Sequence, residues 1–144
     1  MTPEDQTRLV AQLKTDEGCK LYVYQDSLGY ATLGFGRLVD RKKGGGISMD
    51  EALYLLQNDV AKVTKQLTQY TWYSGQDSVR QAALANFCFN VGLEGLLHFP
   101  KFLMHMTANE YPQAVAELRD TPWHSQVGAR ADRIMNLITT GSWT

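Results

Sequence analysis

The chain has 144 residues, of which 44% are apolar and 20% charged, and its formal net charge is −1. This is the size and composition of one ordinary globular domain able to bury a core. A near-zero charge spread evenly along the chain gives no electrostatic case for nucleic acid or an anionic membrane surface as a partner.

Thr2 is placed to cap a first helix, with Pro3 at its first position and Asp5 three residues after the cap. Leu9, Val10 and Leu13 give that helix one apolar face, and Gly18 stops it with Glu17 in the last turn. From residue 21 to 39 the period moves toward two. Tyr22, Tyr24, Tyr30, Thr32, Leu33 and Phe35 favour strands, while Gly29, Gly34 and Gly36 punctuate them, which predicts a small antiparallel hairpin with room for a third short strand. Arg41-Lys42-Lys43-Gly44-Gly45-Gly46 reads as a flexible, solvated loop.

Ser48 and Glu51 form a capping-box pattern ahead of Ala52, Leu56, Val60, Val63 and Leu67, whose spacing predicts one long helix joining the hairpin to the rest. A turn around Tyr73-Ser74-Gly75 precedes a helix from 77 to about 91. Ala82, Ala83, Ala85, Phe87, Cys88 and Phe89 make this helix apolar nearly all round, as expected of a buried centre. Shorter helices follow at about 99–107, 111–119 and 128–139, with Pro100, Pro112 and Pro122 near their starts or in the connections. The class is α+β: a small hairpin lobe joined by a long helix to a larger helical lobe, in a single domain over residues 1–144.

One stretch carries chemistry. Glu17 falls at a helix end, Asp26 at the hairpin turn and Thr32 on the returning strand. Two carboxylates on separate rigid elements facing a common gap are what acid-catalysed cleavage of a glycosidic bond needs. Taken singly they are bland: a helix-end Glu is ordinarily a solvated charge, Asp favours turns and Thr favours strands. Their spacing, E-x8-D-x5-T, set among the hairpin's aromatics and glycines, resembles the phage-type lysozymes, a glycoside hydrolase family that contains the endolysins of T-even-like phages.

The resemblance implies a lysozyme-like fold with a cleft between two lobes. It also implies an inverting hydrolase of the β-1,4 bond between N-acetylmuramic acid and N-acetylglucosamine in peptidoglycan, with Glu17 as general acid and Asp26 and Thr32 placing the attacking water. It extends further along the chain. Leu38 matches an apolar cleft position. The segment Asn86-Phe87-Cys88-Phe89-Asn90-Val91-Gly92 is similar to the family's central helix, with Phe89 as the cleft phenylalanine and Asn90 where a glutamine is more usual. Either amide can hydrogen-bond a sugar. Trp123 and Arg130-Ala131-Asp132-Arg133 resemble the C-terminal tryptophan and arginine pair, with Arg130 facing the catalytic Glu.

There are departures. Phe102 and Glu117 stand where the T-even type lines its cleft with serine and asparagine, and both are kept as candidate substrate contacts. Arg37 replaces a histidine whose aspartate partner is matched by Asp59, which predicts an Arg37–Asp59 pair. The loop before the long helix is shorter, and this chain is nearly neutral where the T-even enzyme is basic.

No cofactor is expected, because carboxylate chemistry suffices. No metal is expected either, because His98, His105 and His124 lack carboxylate or cysteine partners at ligand spacing. Gly44-Gly45-Gly46 lacks the ending of a phosphate loop, and Gly34-Phe35-Gly36 lacks a dinucleotide fingerprint. Cys19 and Cys88 are too few for a disulfide framework, so both are expected as thiols. Residues 1–6 do not read as a signal peptide, and no stretch approaches the ~20 apolar residues of a membrane span.

A monomer is expected, because no surplus apolar helix face is evident. The resemblance, with no export signal read, implies a protein held in the host cytoplasm until a holin-like partner permeabilises the membrane, then acting on the wall from the periplasm during host lysis. Two rivals are a lytic transglycosylase acting on the same bond and a noncatalytic wall-binding virion domain. Retention of all three of Glu17, Asp26 and Thr32 speaks against both.

Overall fold

The computed structural model describes residues 1–143, which form two compact units, one spanning Met1–Tyr54 and the other running from Leu55 onward. In the first unit, helix α1 (Pro3–Glu17) starts where Thr2 Oγ1 accepts the Asp5 N–H at 3.1 Å, and Pro3 sets its first turn. It ends at Gly18, whose φ of 64° lies outside the range that L side chains readily adopt. Three strands follow, β1 (Lys20–Gln25), β2 (Ala31–Gly34) and β3 (Arg37–Leu38), in the antiparallel order β1-β2-β3. The β1–β2 register slips between Lys20 and Tyr24, then restores Tyr24 opposite Thr32. On its other side Thr32 faces Leu38. Thr32 is therefore on the middle strand, and it is only 4% exposed.

The segment expected to be a flexible loop is an ordered turn. Asp40 accepts the Lys42 N–H at 2.9 Å and caps a 3₁₀ turn over Arg41–Lys43, and Gly44 closes it in the left-handed region. Gly45 N donates to Asp40 O and Gly46 N to Leu38 O. A β-carbon on Gly45 would fall 2.8 Å from both Asp40 N and Leu38 O, so only glycine fits there.

Helix α2 (Met49–Leu67) begins in the first unit with the expected reciprocal cap. The Ser48 N–H donates to Glu51 Oε2 at 2.7 Å, and the Glu51 N–H donates to Ser48 Oγ at 3.2 Å. The Ser48 N–H is the main reason the Glu51 carboxyl sits below its ordinary range. Desolvation opposes it, while the Ser48 hydroxyl and Arg37 add to it. Arg37 pairs with this same Glu51. The pair expected with Asp59 is corrected accordingly: a partner just across the β3–α2 connection takes the guanidinium.

The second unit is helical: α3 (Thr71–Ser74), α4 (Ser78–Leu97), α5 (Pro100–Thr107), α6 (Tyr111–Arg119), α7 (Pro122–Val127) and α8 (Ala129–Thr140). Proline opens α5, α6 and α7, where its missing N–H costs nothing. The stretch after Pro122, expected to be a connection or helix start, is a short helix of its own. Helix α4 bends at Gly92, whose φ of 75° and ψ of 163° are not helical. The expected stop near residue 91 is thus a kink, and a further helical stretch continues to Leu97.

Phe87 is fully buried at the heart of this unit. Its ring lies 4.1 Å from that of Trp123, 5.2 Å from Phe99 and 5.7 Å from Phe102, centroid to centroid. Leu67, Leu84, Leu96, Met106, Leu118, Ile134 and Ile138 complete a core of fully enclosed side chains. Both cysteines are free thiols; burial pushes the Cys88 thiol up, while Cys19 is exposed. Among the described residues no helix is long and apolar enough to cross a membrane.

Candidate active site

Asp26 and Thr32 are held by one intervening residue, Tyr30. Asp26 closes the β1–β2 turn as an Asx turn, its Oδ1 accepting the N–H groups of Leu28 and Tyr30, each at 2.9 Å. Its own N–H donates to Tyr30 O at 3.0 Å, and Gly29 N donates to Asp26 O. Gly29 takes the positive φ of 80° that the turn requires. The Thr32 hydroxyl donates to the same Tyr30 O at 3.0 Å. The consequence is a division of labour within each side chain. Asp26 Oδ1 is spent on backbone, while Oδ2 receives no hydrogen bond from a described residue. Thr32 has committed its proton and keeps its oxygen lone pairs.

Glu17 is the last residue of α1 and is exposed. It lines a concavity of ≈ 390 Å³ in the first unit with Val10, Leu13, Lys14 and Phe35. Its carboxylate lies against Gly36, where a β-carbon would fall 2.8 Å from Glu17 Oε2. Gly36 also sits at φ 71°, so the residue at this position sets both the backbone turn and the room for the carboxylate. Leu38 is half-buried on β3, opposite Thr32.

The other candidates lie in the second unit. Phe89 is 43% exposed and lines an apolar groove of ≈ 410 Å³ with Leu56, Val60, Asn86 and Arg130. Arg130 donates from Nε and Nη2 to Asn86 Oδ1 at 3.0 and 2.8 Å, and from Nη2 to Asn86 O at 3.2 Å. The Arg130 guanidinium is thus anchored on α4. The Asn90 carbonyl is engaged too: the Trp123 indole N–H donates to Asn90 Oδ1 at 2.7 Å, which fixes the amide and leaves its NH₂ group and the second oxygen lone pair for a ligand. Trp123 itself is 6% exposed and packs on Phe87, so it supports Asn90 from beneath. Phe102 is 1% exposed and stacks edge-on against Phe87. With half-buried Glu117 it borders a second concavity of ≈ 280 Å³, beside His98, Phe99 and Lys101.

Two histidines do have carboxylate partners, contrary to the spacing argument. His105 Nδ1 is 2.6 Å from Glu110 Oε2, and His124 Nε2 is 2.9 Å from Asp132 Oδ1. Helix ends and turns bring these pairs together at separations of five and eight residues. Sequence reading also missed Tyr30, Gly36 and Asn86. The D-x-x-G turn signature was a signal for Tyr30, since an Asx turn commits the carboxylate to nearby N–H groups. Asn86 carried no such signal.

Residues 14–136 match the family model of phage lysozyme. The chain is 29% identical to each of two proteins of Dictyostelium discoideum, probable T4-type lysozyme 1 and probable T4-type lysozyme 2. Each alignment covers 90% of this chain and 92% of that protein. It is also 29% identical to the pre-baseplate central spike protein Gp5 of Enterobacteria phage T4. That alignment covers 93% of this chain but only 28% of the spike protein's length.

Proposed function

We propose, from the premise that the chain belongs to the phage lysozyme family, that it hydrolyses the β-1,4 bond between N-acetylmuramic acid and N-acetylglucosamine in bacterial peptidoglycan. The chain is a lysozyme-type glycosidase. Glu17 gives a proton to the leaving oxygen as the glycosidic bond breaks. A water attacks the sugar from the opposite face, and its proton passes to Asp26. The observation that carries this reading is that Asp26 Oδ1 and the Thr32 proton are both committed to backbone groups around Tyr30, while Asp26 Oδ2 receives no hydrogen bond from a described residue. One water hydrogen points to Asp26 Oδ2 and the other to Thr32 Oγ1, which aims the oxygen lone pair outward at the sugar. Because Glu17 is exposed, the bound glycan itself completes the enclosure of the acid.

The biological setting of this proposal is host lysis, with a holin-like permeabiliser giving the protein its route to the wall. A second reading is favoured by the similarity to a spike protein: a wall-binding domain that no longer turns over its glycan. The deciding experiment is clearing of outer-membrane-permeabilised Gram-negative cells by the protein beside Glu17→Gln. The protein should clear them, and the variant should be slower by at least about 10²-fold. Equal clearing by both would overturn the role of Glu17, and binding without clearing by either would support the second reading. Mass spectrometry of the released muropeptides separates hydrolysis from transglycosylation, whose anhydro product is lighter by one water.

A further inference from the structure

The 3₁₀ turn after β3 is rooted on the strand that carries Thr32. The N–H groups of Val39 and Asp40 both donate to Ala31 O, at 2.8 and 3.1 Å, and Ala31 is the residue between Tyr30 and Thr32. From this base the turn is closed by the Asp40 cap and by the glycine contacts that leave no room for a side chain at Gly45. Three cations leave the turn in succession, Arg41, Lys42 and Lys43, all exposed. One of them is not simply solvated: Lys43 Nζ stands over the Tyr30 ring, 4.7 Å from its centroid. That is within the ~6 Å over which a cation is drawn to an aromatic face.

Tyr30 is the residue on which both water-placing side chains lean. Its N–H holds Asp26 Oδ1, and its carbonyl accepts from the Asp26 N–H and from the Thr32 hydroxyl. A rocking motion of Tyr30 therefore moves Asp26 Oδ2 and Thr32 Oγ1 together. Tyr30 is half-buried, so its ring is partly open to solvent on the side that Lys43 can cover. We infer that Lys43 is a positioning residue for the Asp26–Thr32 pair: its ammonium caps the Tyr30 ring and fixes the peptide groups that aim both side chains. This rests on the catalytic reading of Asp26 and Thr32 given above.

The test compares Lys43→Met and Lys43→Arg with Arg41→Met and Lys42→Met, which remove the same charge from the same turn without touching Tyr30. Initial rates on purified peptidoglycan separate kcat from KM. Lys43→Met should lower kcat by roughly 2–5-fold with KM unchanged, the range of an exposed cation–π contact. Lys43→Arg should restore the rate, because a guanidinium also sits on an aromatic face, and the two neighbouring variants should match the native kcat.

A native kcat in Lys43→Met overturns the inference. So does a rise in KM shared equally by all three methionine variants, which would make the turn a general attractor of the anionic wall. Activity of the native protein and its loss in Glu17→Gln are measured alongside, so failure of the muramidase reading is visible separately. Amide NMR shifts of Leu28 and Tyr30, the two donors to Asp26 Oδ1, need no turnover. They should move in Lys43→Met and not in Lys42→Met, and unchanged shifts would equally overturn the inference.

Discussion

The two units are built on different principles. In the first unit, over Met1–Tyr54, Thr32 is the only described residue that is buried, and α1 has none. Shape there comes from caps, turns and backbone bonds: the Thr2 and Ser48 caps, the Asx turn at Asp26, and glycines at positive φ. The second unit encloses Phe87, Phe102, Leu84, Met106, Ile134 and Ile138 almost completely. A unit held by hydrogen bonds that compete with water contributes little net free energy per bond, whereas each buried side chain contributes about 1.5–3 kcal/mol. The candidate catalytic groups sit on the less deeply packed unit. Opening of this unit should be the less costly local event, and its site geometry depends on a handful of local bonds.

Mutations test that contrast from both sides. Phe87→Ala removes the ring on which Phe99, Phe102 and Trp123 converge and should destabilise the protein by about 3–5 kcal/mol in denaturant unfolding. A loss under 1 kcal/mol would mean the second unit is not core-determined. Gly36→Ala should cost less stability and more activity. Enforcing φ 71° on alanine costs about 1–2 kcal/mol. The new methyl also meets Glu17 Oε2, and displacement of the carboxylate should lower kcat by about 10–100-fold. A proportionate loss of stability and activity would show that the glycine serves only the backbone.

Asp77→Ala removes the cap of α4, where Asp77 Oδ1 accepts from Val79 N and Arg80 N, and should cost about 1 kcal/mol in thermal or chemical unfolding. The smallest effect concerns pH. Burial raises the Asp77 carboxyl, but the N–H and guanidinium of Arg80 and the Val79 N–H outweigh it and hold the group below its usual value of 3.8. Glu51 is held below 4.5, chiefly by the Ser48 N–H. Each contribution is complete above the ordinary value and is lost as the pH falls through the lower folded one. Between pH 5 and 3, Glu51→Gln and Asp77→Asn should therefore each flatten the fall in melting temperature seen in the native protein. Hydrogen exchange should place the Glu51 effect in the first unit and the Asp77 effect in the second.

Local chemistry was readable where it acts within a few residues. Thr2, Ser48 and Asp77 announce helix starts because a short oxygen side chain satisfies orphan N–H groups nearby, and Gly18 announces a stop because φ 64° suits no other residue well. The order around Arg41–Lys43 was not readable, because a triple glycine after three cations looks solvated until Leu38 O and Asp40 O are seen to accept its N–H groups. Arg37 shows the same limit. Charge demands a partner, but which carboxylate answers depends on where β3 hands over to α2, and that favours Glu51.

By itself the sequence determined the helical and strand periods, the caps, the α+β class and the three residues with the spacing of a lysozyme. Those are consequences of neighbours along the chain, whose bonds and periodicities do not need the rest of the molecule. Tertiary structure decided how the polar groups are spent. It gave Asn90 to Trp123, 33 residues away, and Arg130 to Asn86, 44 residues away. Hydrogen bonds have a reach of about 3 Å, so which donor meets which acceptor is set only when distant segments are brought together.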